Sequence, residues 1–273
     1  MKTRKEGTDP SLHRTVTTWA EFRQRWDGVL NFLMAGECVP FEFALPSLDR
    51  IVDEMRREPQ ARITPGKKGS KLDMTDMREQ FLKLPIEEAL RSSFALAHFR
   101  LSAFDAPGKF LHGFKTQVLD RWQEALRAQG FTWTRCYPII FISGAGCATN
   151  YHMDFSHVLA WQRYGTKRFC GLKDPTRWAS REMRVDYRAD SVSMPADLKP
   201  EDGLCYEMKP GDVLWNAFLT PHWVEASNEV AMSFNISHGG LRGNGQLCPH
   251  EQEVEDFRRA HPDRAPAAVQ GTY

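Results

Sequence analysis

The chain has 273 residues, of which 41% are hydrophobic and 26% charged, and its formal net charge is +1. This balance excludes a wholly disordered chain, which combines few apolar residues with a high net charge. It also argues against a dedicated nucleic-acid-binding protein, because such proteins are usually clearly basic. No uninterrupted apolar run reaches the roughly 18 residues of a membrane span, and the charged N-terminal residues do not predict a signal peptide.

Regular spacing of apolar residues predicts helices in the first half of the chain. Aromatic and aliphatic residues at three- and four-residue steps predict a helix from Trp19 to Leu33. Thr17 or Thr18 is expected to cap it, with Glu21 three residues after Thr18. The other elements predicted here are a strand at 39–45, a helix at 46–58, a Gly/Lys-rich loop at 64–73, helical residues at 74–91 interrupted at 84–86, a strand at 94–104 and a helix at 114–129.

After Gly130 the pattern changes to short, strand-like runs separated by Gly, Pro and Asp. These runs are TWTRCYPIIFIS, HVLAWQRYG, KRFCGL, GLCYEM, GDVLWNAF and EVAMSFNIS. Many short strands with turns between them favour a sandwich, a jelly roll or a barrel. Residues 173–203 are predicted to form a long polar insertion.

Six cysteines are scattered along the chain, and none forms a C-x-x-C motif. A disulfide framework is usually denser and lies in a smaller chain. We therefore expect reduced, mostly buried cysteines and a cytoplasmic protein.

The most informative motif is NYHMD at residues 150–154. His152 and Asp154 are two residues apart, so in an extended strand both side chains leave the same face and can reach one metal ion. His222, which follows a Gly-Asp turn and a predicted strand, is the best candidate for a third ligand. Two histidines and one carboxylate leave coordination positions open, which favours Fe(II) and oxygen chemistry. H-x-D alone is a weak signal.

The spacing around this motif strengthens the signal. Thr149 precedes His152 by three residues and Lys167 follows it by fifteen, which gives T-x-x-H-x-D and then W-Q-x-x-G-x-K-x-F. With the later GDVL run ahead of His222, and with Asn235 in AMSFN, this pattern resembles the JmjC and cupin-like Fe(II)/2-oxoglutarate oxygenases, especially the factor-inhibiting-HIF asparaginyl hydroxylase branch. The resemblance is good over 138–172 and 211–238, and vague over 1–130.

The resemblance implies a mainly β fold with a helical flank. Its core would be a double-stranded β-helix (jelly roll) of the cupin and JmjC type, with N-terminal α-helices packed against one sheet. The expected organisation is a flexible arm (1–15), one catalytic domain (16–260) and a disordered tail (261–273). Within the domain, 16–130 would be the helix-rich part and 131–245 the jelly-roll core.

The resemblance also implies the roles of the site residues. Three of them would bind Fe(II) and form the catalytic centre, and three would bind the co-substrate 2-oxoglutarate. A buried dicarboxylate needs a fixed cation, which agrees with a lysine among them. The expected metal ligands are His152, Asp154 and His222, and the expected co-substrate residues are Thr149 and Lys167 at the far carboxylate and Asn235 near the iron or the near carboxylate.

The sequence departs from the family pattern at two places. Val158 stands where the family often has an asparagine six residues after the first histidine, so Asn235 is expected to take more of the contact with the near carboxylate. Ala217 and Thr220 stand in the segment where the family often has a proline and then two tryptophans. The family pattern does not use His157 or His238 as ligands.

The expected activity is that of an oxidoreductase: a dioxygenase that hydroxylates an unactivated C–H bond with O2 and releases succinate and CO2, with ascorbate as an optional activator. The expected substrate is a small amino-acid-like molecule or, second, a peptide side chain. No nucleic-acid or membrane partner is expected, and a homodimer is an open option. Two alternatives remain, a methyl-lysine demethylase of the same family and a non-catalytic metal-binding cupin module. Lys167 argues against the second, because a metal site alone does not need it.

Overall fold

The structure is a computed structural model that describes residues 14–65, 74–187, 193–225 and 227–264. The strands are β1 (Thr15–Val16), β2 (Phe32–Met34), β3 (Arg62–Pro65), β4 (Phe94–His98), β5 (Phe131–Thr132), β6 (Arg135–Ser143), β7 (Thr149–His152), β8 (His157–Tyr164), β9 (Lys167–Leu172), β10 (Gly203–Met208), β11 (Val213–Asn216), β12 (His222–Glu225), β13 (Ala231–Gly239), β14 (Arg242–Gly243) and β15 (Gln246–Leu247). The α-helices are α1 (Trp19–Arg25), α2 (Leu48–Arg57), α3 (Met74–Lys83), α4 (Ile86–Arg91), α5 (Arg121–Ala128), α6 (Pro175–Trp178), α7 (Arg181–Val185) and α8 (Pro249–Ala260). A π-helix at Lys115–Asp120 leads directly into α5.

Two sheets form the jelly-roll core. The larger has the strand order β1-β2-β11-β8-β13-β6-β4-β3, and the smaller has the order β10-β9-β12-β7. This confirms the predicted mainly β fold. The larger sheet extends beyond the predicted core of 131–245, because β1 and β2 join one edge and β3 and β4 join the other. Such pairing satisfies backbone groups that an open sheet edge would leave unpaired.

The outer face of the larger sheet packs against the N-terminal helices, as predicted. Phe22 of α1 lies 5.0 Å from Trp215 of β11, measured between ring centroids. Phe114, just before the π-helix, lies 4.6 Å from Phe234 of β13 in the same way. Because side chains alternate along a strand, the residues between these aromatic positions face the opposite way. They line the space between the two sheets.

The first predicted helix is capped as expected but is shorter. Thr18 Oγ1 accepts the Glu21 N–H at 3.2 Å, and the Glu21 carboxylate accepts the Thr18 N–H at 3.3 Å. The helix ends at Arg25, whereas Leu33 lies in β2. The pairing of β2 with β11 uses the backbone groups that a continued helix would need.

The strand predicted at 39–45 is wrong. Residues 39–47 have no regular structure, although Phe41 and Phe43 are both buried. Their rings pack against Trp161 and Phe114 respectively. The alternation in the sequence therefore reflects an extended segment that is buried on one side without a strand partner.

Several other predictions can be compared with the described residues. The helices predicted at 46–58, 74–91 and 114–129 are confirmed, and the second is interrupted after Lys83. The insertion at 173–203 contains α6 and α7, and the sequence did not predict α8. Nearly all of the predicted arm, loop and tail lies outside the described residues. None of the described helices has both the length and the apolar character of a transmembrane helix.

The prediction of reduced cysteines is wrong for one pair. Cys170 and Cys205 occupy opposite positions on β9 and β10 and form a disulfide. The two residues are 35 positions apart in sequence, so only the pairing of the strands brings them together. The other four cysteines are free.

Candidate metal and co-substrate site

A cavity of about 350 Å³ lies between the two sheets of the jelly roll. Strands of both sheets contribute inward-facing side chains to its wall. The cavity brings together all six residues that the sequence predicts for the site, which are Thr149, His152, Asp154, Lys167, His222 and Asn235.

The three predicted metal ligands form one cluster. Pairing of β12 with β7 places His222 directly opposite His152, and Asp154 follows two residues later. The Nε2 atoms of His152 and His222 lie 3.8 Å and 3.4 Å from the two carboxylate oxygens of Asp154. One potential ligand atom from each residue lies within 4.8 Å of the other two.

Backbone carbonyl groups set the orientation of both imidazole rings. His152 Nδ1 lies 2.7 Å from the carbonyl oxygen of Asn150, and His222 Nδ1 lies 2.9 Å from that of Thr220. A proton on each Nδ1 makes these hydrogen bonds, which leaves the Nε2 lone pairs for a metal. Ligating histidines are usually held in this way.

The charges of the cluster also suit a divalent cation. Burial lowers the pKa of His152, and the neighbouring His222 lowers it further, so the ring is neutral and able to ligate. Burial alone would raise the pKa of Asp154, but hydrogen bonding and the nearby imidazoles lower it overall. The donor set of two imidazoles and one carboxylate fits Fe(II).

Two residues that the sequence analysis missed support the cluster. The ring of Phe169 stacks on that of His222 at 5.2 Å with an interplanar angle of 9°. Asn216 Nδ2 lies 3.4 Å from Asp154 Oδ2 and 3.4 Å from His222 Nδ1. The available signal for Asn216 was a lone amide in the apolar run VLWNAF.

Lys167 and Thr149 lie towards one end of the cavity. Strands β9 and β12 pair with Phe169 opposite Val224. Lys167 lies two residues from this pair in one direction along the strands, and His222 lies two residues from it in the other direction. This separation is about 13 Å along the strands. Thr149 is also opposite Val224, from the other side of β12.

Burial lowers the pKa of Lys167 to about 8. Among the described residues, no carboxylate forms a salt bridge with its ammonium group. A partly buried cation without such a partner favours the binding of an anion from solution. Asn235 lies on the facing sheet, where its Nδ2 donates to Ser233 Oγ at 3.2 Å.

The Q-x-x-G-x-K part of the motif has a structural basis. The buried amide of Gln162 donates from Nε2 to the carbonyl oxygens of Tyr164 and Gly165, at 2.7 and 3.0 Å. Gly165 has a φ of +58°, and a Cβ there would lie 2.3 Å from the Val230 carbonyl oxygen. The glutamine and the glycine therefore hold the turn that presents Lys167 to the cavity.

Two other histidines lie on the opposite face of the larger sheet. His157 is fully buried and stacks on Trp215, with ring centroids 5.4 Å apart. His238 Nε2 accepts a hydrogen bond from Trp122 Nε1 at 2.7 Å. Neither lines the cavity, in agreement with the family pattern, which does not use them.

No protein-family model matches the chain, and no curated protein matches it. The structure is similar to solved structures of YcfD, a ribosomal oxygenase from Escherichia coli. One, in complex with cobalt and 2-oxoglutarate, is 17% identical with a TM-score of 0.51, and the match covers 94% of this chain and 63% of that chain. Another, with cobalt and succinic acid, is 16% identical with a TM-score of 0.51, and covers 82% and 51%.

The chain thus spans between about half and two thirds of the length of these YcfD structures. At such low identity the likeness concerns the fold. It agrees with the strand order and with the cavity between the sheets. The described core is a jelly roll with a fold similar to that of the YcfD structures.

Proposed function

We propose that this chain is an Fe(II)- and 2-oxoglutarate-dependent dioxygenase that hydroxylates a C–H bond. One observation carries the proposal: a single cavity is lined by the cluster of His152, Asp154 and His222 and by Lys167, whose backbone position is about 13 Å along the strands from that of His222. The cluster would hold the metal and one end of a dicarboxylate, and Lys167 would hold the other end.

Bound Fe(II) would supply the activation of O2, coupled to the conversion of 2-oxoglutarate to succinate and CO2. The part of this chain is to bind and orient. The carbonyl groups of Asn150 and Thr220 keep both Nε2 atoms directed at the metal position. The low pKa of Asp154 keeps its carboxylate charged.

The YcfD structures support the proposal by likeness of fold, because they are described as an oxygenase with cobalt and 2-oxoglutarate or succinic acid. Lys167 favours an oxygenase over a non-catalytic cupin module, which would need only the metal ligands. We propose a small molecule rather than a peptide side chain as substrate.

The test is turnover of 2-oxoglutarate by the purified protein with Fe(II) and ascorbate. We expect succinate to be released with Fe(II) and not when Zn(II) replaces it. A protein that binds metal but neither binds nor turns over 2-oxoglutarate would be a non-catalytic cupin. Formaldehyde release from a methylated lysine peptide would instead identify a demethylase.

A further inference from the structure

Arg135 lines the same cavity at the end opposite Lys167. Lys167 follows the turn at the end of β8. Close to that turn, Gln162 of β8 pairs with Ser233, which is near the start of β13. Arg135 begins β6 and pairs with Gly239, the last residue of β13. Six residues of β13 therefore separate the two ends, which is about 20 Å along the strand.

The guanidinium group of Arg135 lies on the cavity side of the sheet. Gly239 is two residues from Ser237, which lines the cavity, so a Cβ on Gly239 would point to the same face. That Cβ would lie 2.7 Å from Arg135 Nη2 and 2.8 Å from its Nε. The glycine thus leaves room for the guanidinium across the end of β13.

Along the strand direction, the metal cluster lies at a level between Lys167 and Arg135. Four residues on neighbouring strands form one row across the larger sheet, and these are Tyr137, Ser237, Val158 and Asn216. Asn216, at the end of the row, contacts Asp154. This row crosses the sheet at the level of the cluster. Arg135 is two residues beyond it, which is about 7 Å along β6.

This end of the cavity is polar. Tyr137, Ser156 and Ser237 line it, and Ser237 Oγ donates to Ser156 Oγ at 2.8 Å. Phe155 also lines the cavity, and its ring lies 5.1 Å from that of Tyr187 and beneath the guanidinium of Arg258 in α8.

We infer that Arg135 binds the carboxylate of a small-molecule substrate, whose C–H bond is thereby held next to the metal cluster. The inference rests on the proposed function and names its substrate class. A guanidinium and a carboxylate form two parallel, charge-assisted hydrogen bonds, which fix orientation as well as distance. Two cations on opposite sides of the cluster would sort two carboxylates: Lys167 takes the co-substrate and Arg135 the substrate. A residue inside a protein chain has no backbone carboxylate to offer.

Among the described residues, Glu251 is a nearby carboxylate that could give Arg135 a structural role. Burial raises the pKa of Glu251 to about 7, and the charge of Arg135 acts to lower it. Glu251 Oε1 already accepts the Gly240 N–H at 2.8 Å. A guanidinium has five N–H donors, so Arg135 can contact Glu251 and a ligand together. The experiment must therefore separate a binding role from a structural one.

The experiment supplies the protein with Fe(II), 2-oxoglutarate and the small-molecule fraction of a cell extract. One half of the extract is used as it is, and the carboxyl groups of the other half are first converted to amides. Mass spectrometry then detects compounds that gain one oxygen atom, and succinate is measured in parallel. We expect the oxygen gain in the untreated half only.

Variants test the residue itself. Arg135→Met should lower the ratio of hydroxylated product to succinate roughly 10- to 100-fold, the effect of losing a charge-assisted pair. Arg135→Lys should recover part of it, and Gly239→Ala should reproduce the loss by displacing the guanidinium. Arg127→Met is the matched control, because Arg127 is exposed and stacks on Trp133. A structural role would lower product and succinate together and leave the ratio unchanged.

The outcomes separate the two claims. Absence of succinate with every fraction would refute the proposed oxygenase. Three results would overturn the role of Arg135 alone if succinate is released. They are oxygen gain only in compounds without a carboxylate, equal oxygen gain in the amidated half, and no oxygen gain in any compound. An unchanged product ratio in Arg135→Met would do the same.

Discussion

Asn216 lies directly opposite Val158 in the antiparallel pairing of β11 with β8, and its Nδ2 is 3.4 Å from Asp154 Oδ2. The family pattern often has an asparagine at the position of Val158. Here an amide occupies the neighbouring strand, on the same face of the sheet. The polar group that the sequence lacks at one position is thus present one strand away.

Replacement of Asn216 tests whether this amide supports the metal ligands. We expect Asn216→Ala to weaken Fe(II) binding roughly 10- to 100-fold, as is usual when a group that orients a ligand is lost. Anaerobic metal titration measures the effect. Asn228→Ala is the control, because it removes an exposed amide that does not line the cavity. Equal affinities in both variants would show that Asn216 has no such role.

Replacement of Asp154 tests the metal site directly. Asp154→Ala leaves the two imidazoles without the anionic ligand, so Fe(II) affinity should fall by more than the roughly 10- to 100-fold loss caused by removal of a supporting partner. Glu87→Ala, at an exposed position of α4, should bind metal as the parent does. Full retention of iron affinity by Asp154→Ala would refute the ligand assignment.

Replacement of Lys167 tests the co-substrate anchor. Lys167→Met removes the cation from the cavity, and the KM for 2-oxoglutarate should rise roughly 10- to 100-fold, since hydrogen bonds to charged groups contribute about 1.5–3 kcal/mol. Steady-state succinate release at varied 2-oxoglutarate measures this. Lys209→Met removes an exposed lysine and should leave the KM unchanged. An unchanged KM in Lys167→Met would mean that another residue holds the far carboxylate.

The pH dependence of 2-oxoglutarate binding follows from the same lysine. Burial lowers the pKa of Lys167 from 10.5 to about 8, so the unfolded chain binds more protons than the folded chain between these values. The lysine therefore makes the ligand-free protein more stable as pH rises through that window. Binding of 2-oxoglutarate needs the charged form, so its affinity should fall roughly tenfold between about pH 7 and pH 9. Lys167→Arg should abolish this fall in affinity, because a guanidinium stays charged. Calorimetry measures the affinity, and a fall that persists in Lys167→Arg would contradict the role of the lysine.

The disulfide between Cys170 and Cys205 should stabilise the smaller sheet. It closes a loop of 35 residues between β9 and β10. In the chain-entropy description, loss of a disulfide that closes a loop of this length lowers the free energy of unfolding by about 3–4 kcal/mol. Chemical denaturation of the Cys170→Ser/Cys205→Ser variant should show that decrease in the free energy of unfolding. A reducing agent should destabilise the parent and leave the variant unaffected. The cytoplasmic location stays a prediction.

Several parts of the fold and site could be predicted because their signals are local in sequence. The cap at Thr18 and Glu21 involves residues three apart, and His152 and Asp154 share one face of a strand because they are two apart. The prediction of a strand at 39–45 was wrong because it also relied on a local signal alone. Alternating burial of Phe41 and Phe43 is a local pattern, whereas a strand also needs a partner that the pattern cannot supply.

By itself the sequence predicted many short strands in a sandwich, a jelly roll or a barrel. The resemblance of its motifs to a known family selected the jelly roll and the residue types of a candidate metal and dicarboxylate site. Only the tertiary structure decided which distant residues meet. The register of β12 against β7 sets His222 opposite His152, and the register of β13 against β6 places Arg135 across Gly239. Strand register is fixed by packing across the whole sheet, and a shift of one residue would turn each of these side chains to the other face.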